Sequence, residues 1–523
     1  MPEVSLFSAG VAASSLFLFV IFYLRPFSPL DPPQPVKGKS GTVLFVSTEN
    51  HGQINVQLAA VQALLERYPS LDIHFASAQP VAKLLHRISS SVRKTSASFG
   101  KVTFHDLPGL LPMQVTMQRQ FGPEVMKHFR HEPGAKGSKQ LNKIAQASMA
   151  PWTTEEYVRI YNQMTNLIHE VDPALVVLDF AFRPAIAATH KSNRVHTFLT
   201  PTSLIDMLPM VQPQASILWK YPVVGTDFPF PLPWRKVPEN IYVAVRALLS
   251  FAFMADLAET KKQIAQCGID NAFGPLNGTH TSWIMQNMLQ AGPTVDPIPD
   301  NVVCVNPIVF AMVPAIKQDP ELVSWTRRTP TVLICLGSLF EYDLQRTEIM
   351  GQAIKELLKR TDVQVLWKFG QENLMDDAKA VLQEYIDQGR VQIYKWLSAN
   401  PVSLLETGHI VASVHHGGAN SYNEALSAGV PQVIVPMWTD LFNHAQRVED
   451  IGVGIYATRG TAPEWTVNGL SNAFLKALDG GETSVSIRAK AKYLGDVARK
   501  NPGRYAAARE IAMLARSEEK VTS

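Results

Sequence analysis

Two doubly wound α/β halves behind an N-terminal transmembrane helix are the fold class the sequence predicts. Three observations lead there. From Gly41 onward, short β-branched runs alternate with stretches of helical spacing, and the same alternation restarts after Pro307. Ahead of both, Ser5–Leu24 (SLFSAGVAASSLFLFVIFYL) carries no charge. Strand, helix and strand at such spacings mean parallel βαβ units in an open sheet. With 523 residues, 46% of them hydrophobic, the chain can fill two cores, since domains run to about 100–250 residues.

The first element is the apolar segment. As a helix rising about 1.5 Å per residue, it would span the ~30 Å hydrocarbon layer. A cleaved signal peptide opens on positive charge, whereas here Glu3 precedes the segment and Arg25, Lys37 and Lys39 follow it. Positive charge stays in the cytosol. The expectation is therefore a single-pass membrane protein of the endoplasmic reticulum, its bulk cytosolic, with membrane lipid among its partners. The sequon Asn277-Gly278-Thr279 points the other way, because glycosylation requires the lumen.

A Pro-rich linker, Pro26–Pro35, leads into the first half. Gly41–Ser47 (GTVLFVS) reads as a strand, Ile54–Arg67 as a helix with Leu58, Val61, Leu64 and Leu65 on one face, and Leu71–Ala76 as the next strand. Leu175–Leu178 is a strand ending in Asp179; Pro184–His190 is helical and Val195–Leu199 extended. In the second half, Thr331–Leu336, Val363–Lys368, Val391–Tyr394, His409–Val414 and Gln432–Val435 are strands, and Glu348–Lys359 is a helix. Residues 484–516 form a terminal helix pair. The expected division is 1–36 anchor and linker, 37–300 N-terminal domain, 301–483 C-terminal domain, and 484–523 helices returning to the first.

Composition excludes some functions. A net charge of +3 on this length gives no case for nucleic acid. The basic, Ser-rich run His86–Lys101 is expected to be a solvated loop. Cys267, Cys304 and Cys335 are odd in number and far apart, which fits neither a disulfide framework nor a metal knuckle.

The chemistry concentrates in residues 411–424, VASVHHGGANSYNE. The strand before it ends at the sheet's carboxyl edge, where doubly wound folds bind ligands. Gly417-Gly418 lets backbone approach a ligand, and a helix starting near Asn420 or Ser421 aims free N–H groups at the same place, as a pyrophosphate requires. Glu424, one turn on, can accept hydrogen bonds from two vicinal hydroxyls such as a ribose offers. His415 and His416 are neighbours on an extended segment and point opposite ways, so metal binding is not expected. Gly452-Val-Gly454-Ile-Tyr-Ala457 matches a dinucleotide fingerprint, yet it follows a helical stretch instead of a strand.

Trp396 through Asp440 resembles the signature box of the family 1 UDP-glycosyltransferases. His416, Gly418, Asn420, Ser421, Glu424, Pro431, Pro436 and Asp440 all stand at that family's relative spacing. The resemblance implies the GT-B fold, two Rossmann-like domains facing a cleft. It implies a UDP-sugar as co-substrate, with no cofactor and no metal. Trp396 would stack on uracil; Ser338, His416, Gly418, Asn420 and Ser421 would hold the diphosphate; Glu424 would hold the ribose and Asp440 the sugar hydroxyls. His51, in Asn50-His51-Gly52 after the first strand, would be the general base, and Asp179 the aspartate that orients it. An imidazole titrates near neutral pH and can take the proton from an attacking hydroxyl.

The sequence departs from the family at Leu397-Ser398-Ala399, where Pro-Gln would follow the tryptophan, and at Leu441, where glutamine is usual. A leucine cannot bond a sugar hydroxyl. Either altered donor preference follows, or Asn443 supplies the missing group. Residues 200–257 are apolar, aromatic and Pro-rich and fall where the family builds its acceptor pocket, so the expected acceptor is a lipophilic terpenoid, sterol, polyketide or phenol. The alternative is a catalytically inactive GT-B scaffold that anchors a partner enzyme at the membrane.

Overall fold

In the computed structural model the described residues are 34–516, apart from 96–98, 210–211, 275, 277–280, 293 and 339. The apolar segment Ser5–Leu24 and the sequon Asn277–Thr279 lie outside them. Among the described residues, one stretch is long and apolar enough to cross a membrane, Trp234–Gln266. It is broken at Phe253–Met254 into two helices, and the first packs on the helix Ser138–Met149.

The chain builds two all-parallel sheets. The first comprises β1 (Lys39–Val46), β2 (Asp72–Ser77), β3 (Lys101–Asp106), β4 (Pro173–Leu178), β5 (His196–Thr200), β6 (Thr281–Gln286) and β7 (Val302–Val305), in the order β3-β2-β1-β4-β5-β6-β7. The second comprises β8 (Thr331–Cys335), β9 (Gln364–Lys368), β10 (Val391–Tyr394), β11 (Ile410–His415), β12 (Gln432–Ile434) and β13 (Gly454–Tyr456), in the order β10-β9-β8-β11-β12-β13. Helices cover both faces, so central strands read as unbroken apolar runs: Val43, Leu44, Phe45 and Val46 are all 0% exposed. Strand order reverses between β1 and β4, and again between β8 and β11. Those two switch points are where open α/β sheets present ligand crevices. His51 and Asp179 follow the first pair, Ser338 and His416 the second.

Four expectations need correction. Residues 86–95 of the expected loop belong to the helix Pro80–Thr95, whose buried stripe Val81, Leu85, Val92 is diluted by serines and so escapes a composition reading. The first domain extends past residue 300, because β7 pairs with β6 in register Trp283↔Val302. The terminal helices separate. Gly503–Arg516 does return to the first half, where Tyr505 bonds Glu66 at 3.0 Å and lies under the Arg67 guanidinium. Glu482–Lys500 instead lies on the helix Ala419–Ala428 in the second half, with Arg499 Nη1 donating to Ser427 O at 3.0 Å and Ala428 O at 2.9 Å. The fourth concerns residues 200–257 and is taken up with the site.

Candidate active site

The loop after β11 is shaped by its glycines. Gly417 has φ +100°, and a Cβ there would stand 2.8 Å from Ile434 Cγ2. Gly418 caps the helix Ala419–Ala428, whose first N–H groups have no partner inside it. The two histidines diverge, as expected. His415 Nδ1 accepts from Gly417 N at 3.1 Å and its Nε2 bonds Gln432 Oε1 at 2.9 Å, making it part of the wall; burial lowers its pKa to about 4. His416 lies between Gly337 and Gly418, either of whose added Cβ would meet the ring within 2.7 Å. Burial and then the neighbouring His415 and His444 push its pKa down to about 3, and its sealed Nδ1 has no partner. A neutral imidazole can bond a phosphate oxygen through N–H without carrying charge, and here that nitrogen would be Nε2, since Nδ1 is sealed.

Around this loop stand the other expected donor residues. Ser338 is exposed just after β8. Trp396 is 58% exposed and carries Lys368 Nζ 3.8 Å from its ring centre, so one face is covered by a cation and the ring itself stays open to solvent. Glu424 is half-buried, and burial raises its pKa to about 7. A carboxylate with no cation beside it is an unfilled hydrogen-bond acceptor. Asp440 is partly exposed, receives Thr439 Oγ1 at 2.7 Å, and lies 3.9 Å from His444. Asn420 departs from expectation: its Nδ2 donates across the cleft to His51 O at 2.9 Å.

The structure also revises the sugar end. Leu441 is 3% exposed within the second half's apolar core, alongside Met437 and Trp438, and presents no surface to a ligand. Asn443 does not replace the missing amide. Its Oδ1 accepts from Gly225 N at 2.9 Å and its Nδ2 reaches Val223 O at 3.4 Å, so it is committed to the first half.

On the acceptor side, His51 opens the helix His51–Arg67 and is exposed. Asp179 is 1% exposed at the end of β4. Its carboxylate receives Ala181 N at 2.9 Å, Thr48 Oγ1 at 3.3 Å and Ser47 Oγ at 3.4 Å, while burial raises its pKa against those bonds. No hydrogen bond joins it to His51. It grips the strand-to-helix loop that carries the histidine.

Beside that loop is a cavity of about 360 Å³. Leu110, Met117, Met149, Trp152 and Phe180 supply apolar walls, with Glu49 and Arg183 among the polar groups. Among the described residues, none of 200–257 lines this cavity. Their helix Val237–Ala252 stands behind Ser138–Met149, where Ser250 bonds Asn142 at 2.9 Å. Here apolar composition marks a layer behind this cavity instead of its lining.

Three further contacts across the halves left no local signal. Arg447 Nη2 grips Asp206 with bonds of 3.1 Å and 3.0 Å. Burial alone would raise the carboxyl, but the guanidinium outweighs it and holds it below its usual range. His131 accepts Thr439 N on Nε2 at 2.9 Å, holding a residue at φ +41° next to Asp440. Arg130 Nη1 meets Asp343 at 3.0 Å.

Comparison with known proteins agrees with this geometry. Residues 391–498 match the C-terminal domain family of erythromycin biosynthesis protein CIII-like proteins. The chain is 34% identical over 514 residues to glycosyltransferase sdnJ of Sordaria araneosa, covering 91% of this chain and 98% of that protein. The chain belongs to the family 1 glycosyltransferases. This glycosyltransferase is also 42% identical over 88 residues to a sterol 3-beta-glucosyltransferase of Komagataella phaffii, a match covering 17% of this chain and 6% of that one. Its fold is that of a UDP-glucosyltransferase from Polygonum tinctorium, with a TM-score of 0.60 at 15% identity over 93% of this chain and 100% of the other. A UDP-glucose:anthocyanidin 3-O-glucosyltransferase is similar as well, with a TM-score of 0.55 at 14% identity, covering 91% and 99%. The glycosyltransferase thus has the GT-B architecture, its two sheets meeting at the cleft where His51 and Asn420 touch.

Proposed function

We propose that the enzyme transfers a hexose from a UDP-sugar to a hydroxyl of a lipophilic small molecule, inverting the anomeric carbon. His51 takes the hydroxyl proton as that oxygen attacks, and UDP leaves with the bonding electrons. Asp179, buried beneath the loop, holds the base in place through Ser47 and Thr48 and contributes negative charge as the imidazolium forms. The leaving diphosphate is received by the helix N-terminus after Gly418, with Ser338, His416 and Ser421 around it; preorganised donors at a developing charge are a large catalytic term. Glu424 takes the ribose hydroxyls, Trp396 the uracil face and Asp440 the sugar.

The observation that carries this reading is the bond from Asn420 to His51. It joins the loop assigned to the diphosphate with the loop assigned to the base. The apolar cavity on the base's side supports a lipophilic acceptor, as do the sterol and anthocyanidin named for similar proteins. The test is incubation with UDP-hexoses and a panel of terpenoid, sterol and phenolic alcohols, read as mass shifts. His51→Ala should lower kcat by about 10²–10⁴ while UDP affinity holds. A variant retaining more than a third of wild-type kcat would remove His51 from the mechanism. The same reading keeps the enzyme on the cytosolic face of a membrane through Ser5–Leu24; protease outside sealed microsomes should then digest the catalytic domain.

A further inference from the structure

The acceptor cavity contains a cation without a counterion. Arg183 opens the helix after β4 and lines the cavity, and among the described residues its side chain donates to Gly274 O at 3.2 Å and pairs with no carboxylate. Burial pulls its pKa below the usual arginine range. Nearby charges do not compensate: burial and then the field of Arg183 itself lower both Lys261 and His190. Withdrawn charges in proteins are as a rule paired, because an unpaired one loses its hydration without return. The cavity's other ionisable wall is Glu49. Its Oε1 accepts Met113 N at 2.8 Å, and its buried Oε2 has no partner. The rest of the lining sets leucine, methionine, tryptophan and phenylalanine beside the neutral polar Thr48, Asn50, Gln53, Thr116 and Ser148.

We propose that the acceptor is an amphiphilic hydroxy acid whose carboxylate pairs with Arg183 and whose hydroxyl lies at the loop of Glu49 and His51, where His51 takes its single proton. A planar guanidinium takes a carboxylate in two parallel bonds, which orients as well as binds. Glu49, whose Oε1 is held by Met113 N, lines the same cavity two residues before His51 in the loop assigned to the base. The carboxylate is an anchor here, and the hydroxyl is the group that receives the sugar. This inference rests on reading the cavity as the acceptor site.

The probes are 12-hydroxydodecanoic acid and its methyl ester, which differ in charge and share a chain. Binding is followed by quenching of intrinsic tryptophan fluorescence, since Trp152 lines the cavity, and requires no turnover. The wild type should bind the acid about 10- to 100-fold more tightly than the ester, the range of a charge-assisted pair. Arg183→Met should bring the two to near equality, and Arg183→Lys should keep part of the preference. Equal binding of acid and ester by the wild type would overturn the proposal without any variant. So would an unchanged preference in Arg183→Met, or a glycosylated product cleaved by mild alkali, which would make the carboxylate the attacked group. Acid-selective binding by a chain that transferred no sugar would uphold the anchor and sink the transferase reading instead.

Discussion

Asn420 Nδ2 and the His51 carbonyl oxygen are 2.9 Å apart, although 369 positions separate the two residues in the chain. The helix Ala419–Ala428 belongs to the second sheet and the helix His51–Arg67 to the first. One neutral hydrogen bond therefore joins the loop assigned to the donor with the loop assigned to the base.

Asn420→Ala should lower kcat/KM for donor and acceptor together. A net hydrogen bond is worth about 0.5–1.5 kcal/mol, or roughly threefold to tenfold. Steady-state kinetics varying each substrate in turn would check this. An effect confined to donor KM would mean that Asn420 serves only the phosphates.

Glu424 predicts a pH dependence. Its pKa in the empty protein is about 7, raised by burial. Ribose hydroxyls donate to the charged form, so binding should lower that pKa and release protons near neutrality. UDP affinity should rise from pH 6 to pH 8, and Glu424→Gln should lose the part of this rise that UDP's own ionisation does not supply. Calorimetry in buffers of different ionisation enthalpy measures the released proton. Linkage has a second consequence. A raised folded-state pKa means stability that is present below the unfolded value and is lost as pH climbs through the folded one. The empty wild type should then melt below Glu424→Gln at pH 8, by about 2–4 °C for each kcal/mol relieved.

Leu441→Gln should destabilise without changing sugar choice. The side chain is buried in the core, and an amide left unpaired there costs about 1–3 kcal/mol. Thermal melting and a competition assay among UDP-hexoses separate the two effects. A changed donor ranking at unchanged melting temperature would return this position to the sugar site.

Asp206→Ala should be the most damaging of these changes. It strands the Arg447 guanidinium in the interior between the two halves, where breaking a buried pair costs about 3–5 kcal/mol. Calorimetric melting should show a lowered transition that splits as the halves uncouple. Exchanging both partners for apolar residues, Asp206→Leu with Arg447→Met, should recover most of the loss.

The sequence by itself determined most elements and the shape of the loop assigned to the donor. The strands at 43–46, 175–178 and 331–335 are legible because a strand covered on both faces must be apolar without interruption. The loop assigned to the phosphates is legible because consecutive residues carry strand, glycines, helix start and carboxylate in one fixed order. Signals of that kind are local. The helix Pro80–Thr95 was less visible because serines diluted its buried stripe. What only the tertiary structure decided is which distant groups meet: His51 with Asn420, His131 with Thr439, Asp206 with Arg447, and Asn443 with Gly225 instead of a sugar. The same holds for the acceptor cavity. Its walls come from loops and helices after β1, β3 and β4, segments that share no periodicity. Arg183 and Glu49 read as ordinary charges until packing brings both to one cavity, Arg183 without a carboxylate partner among the described residues.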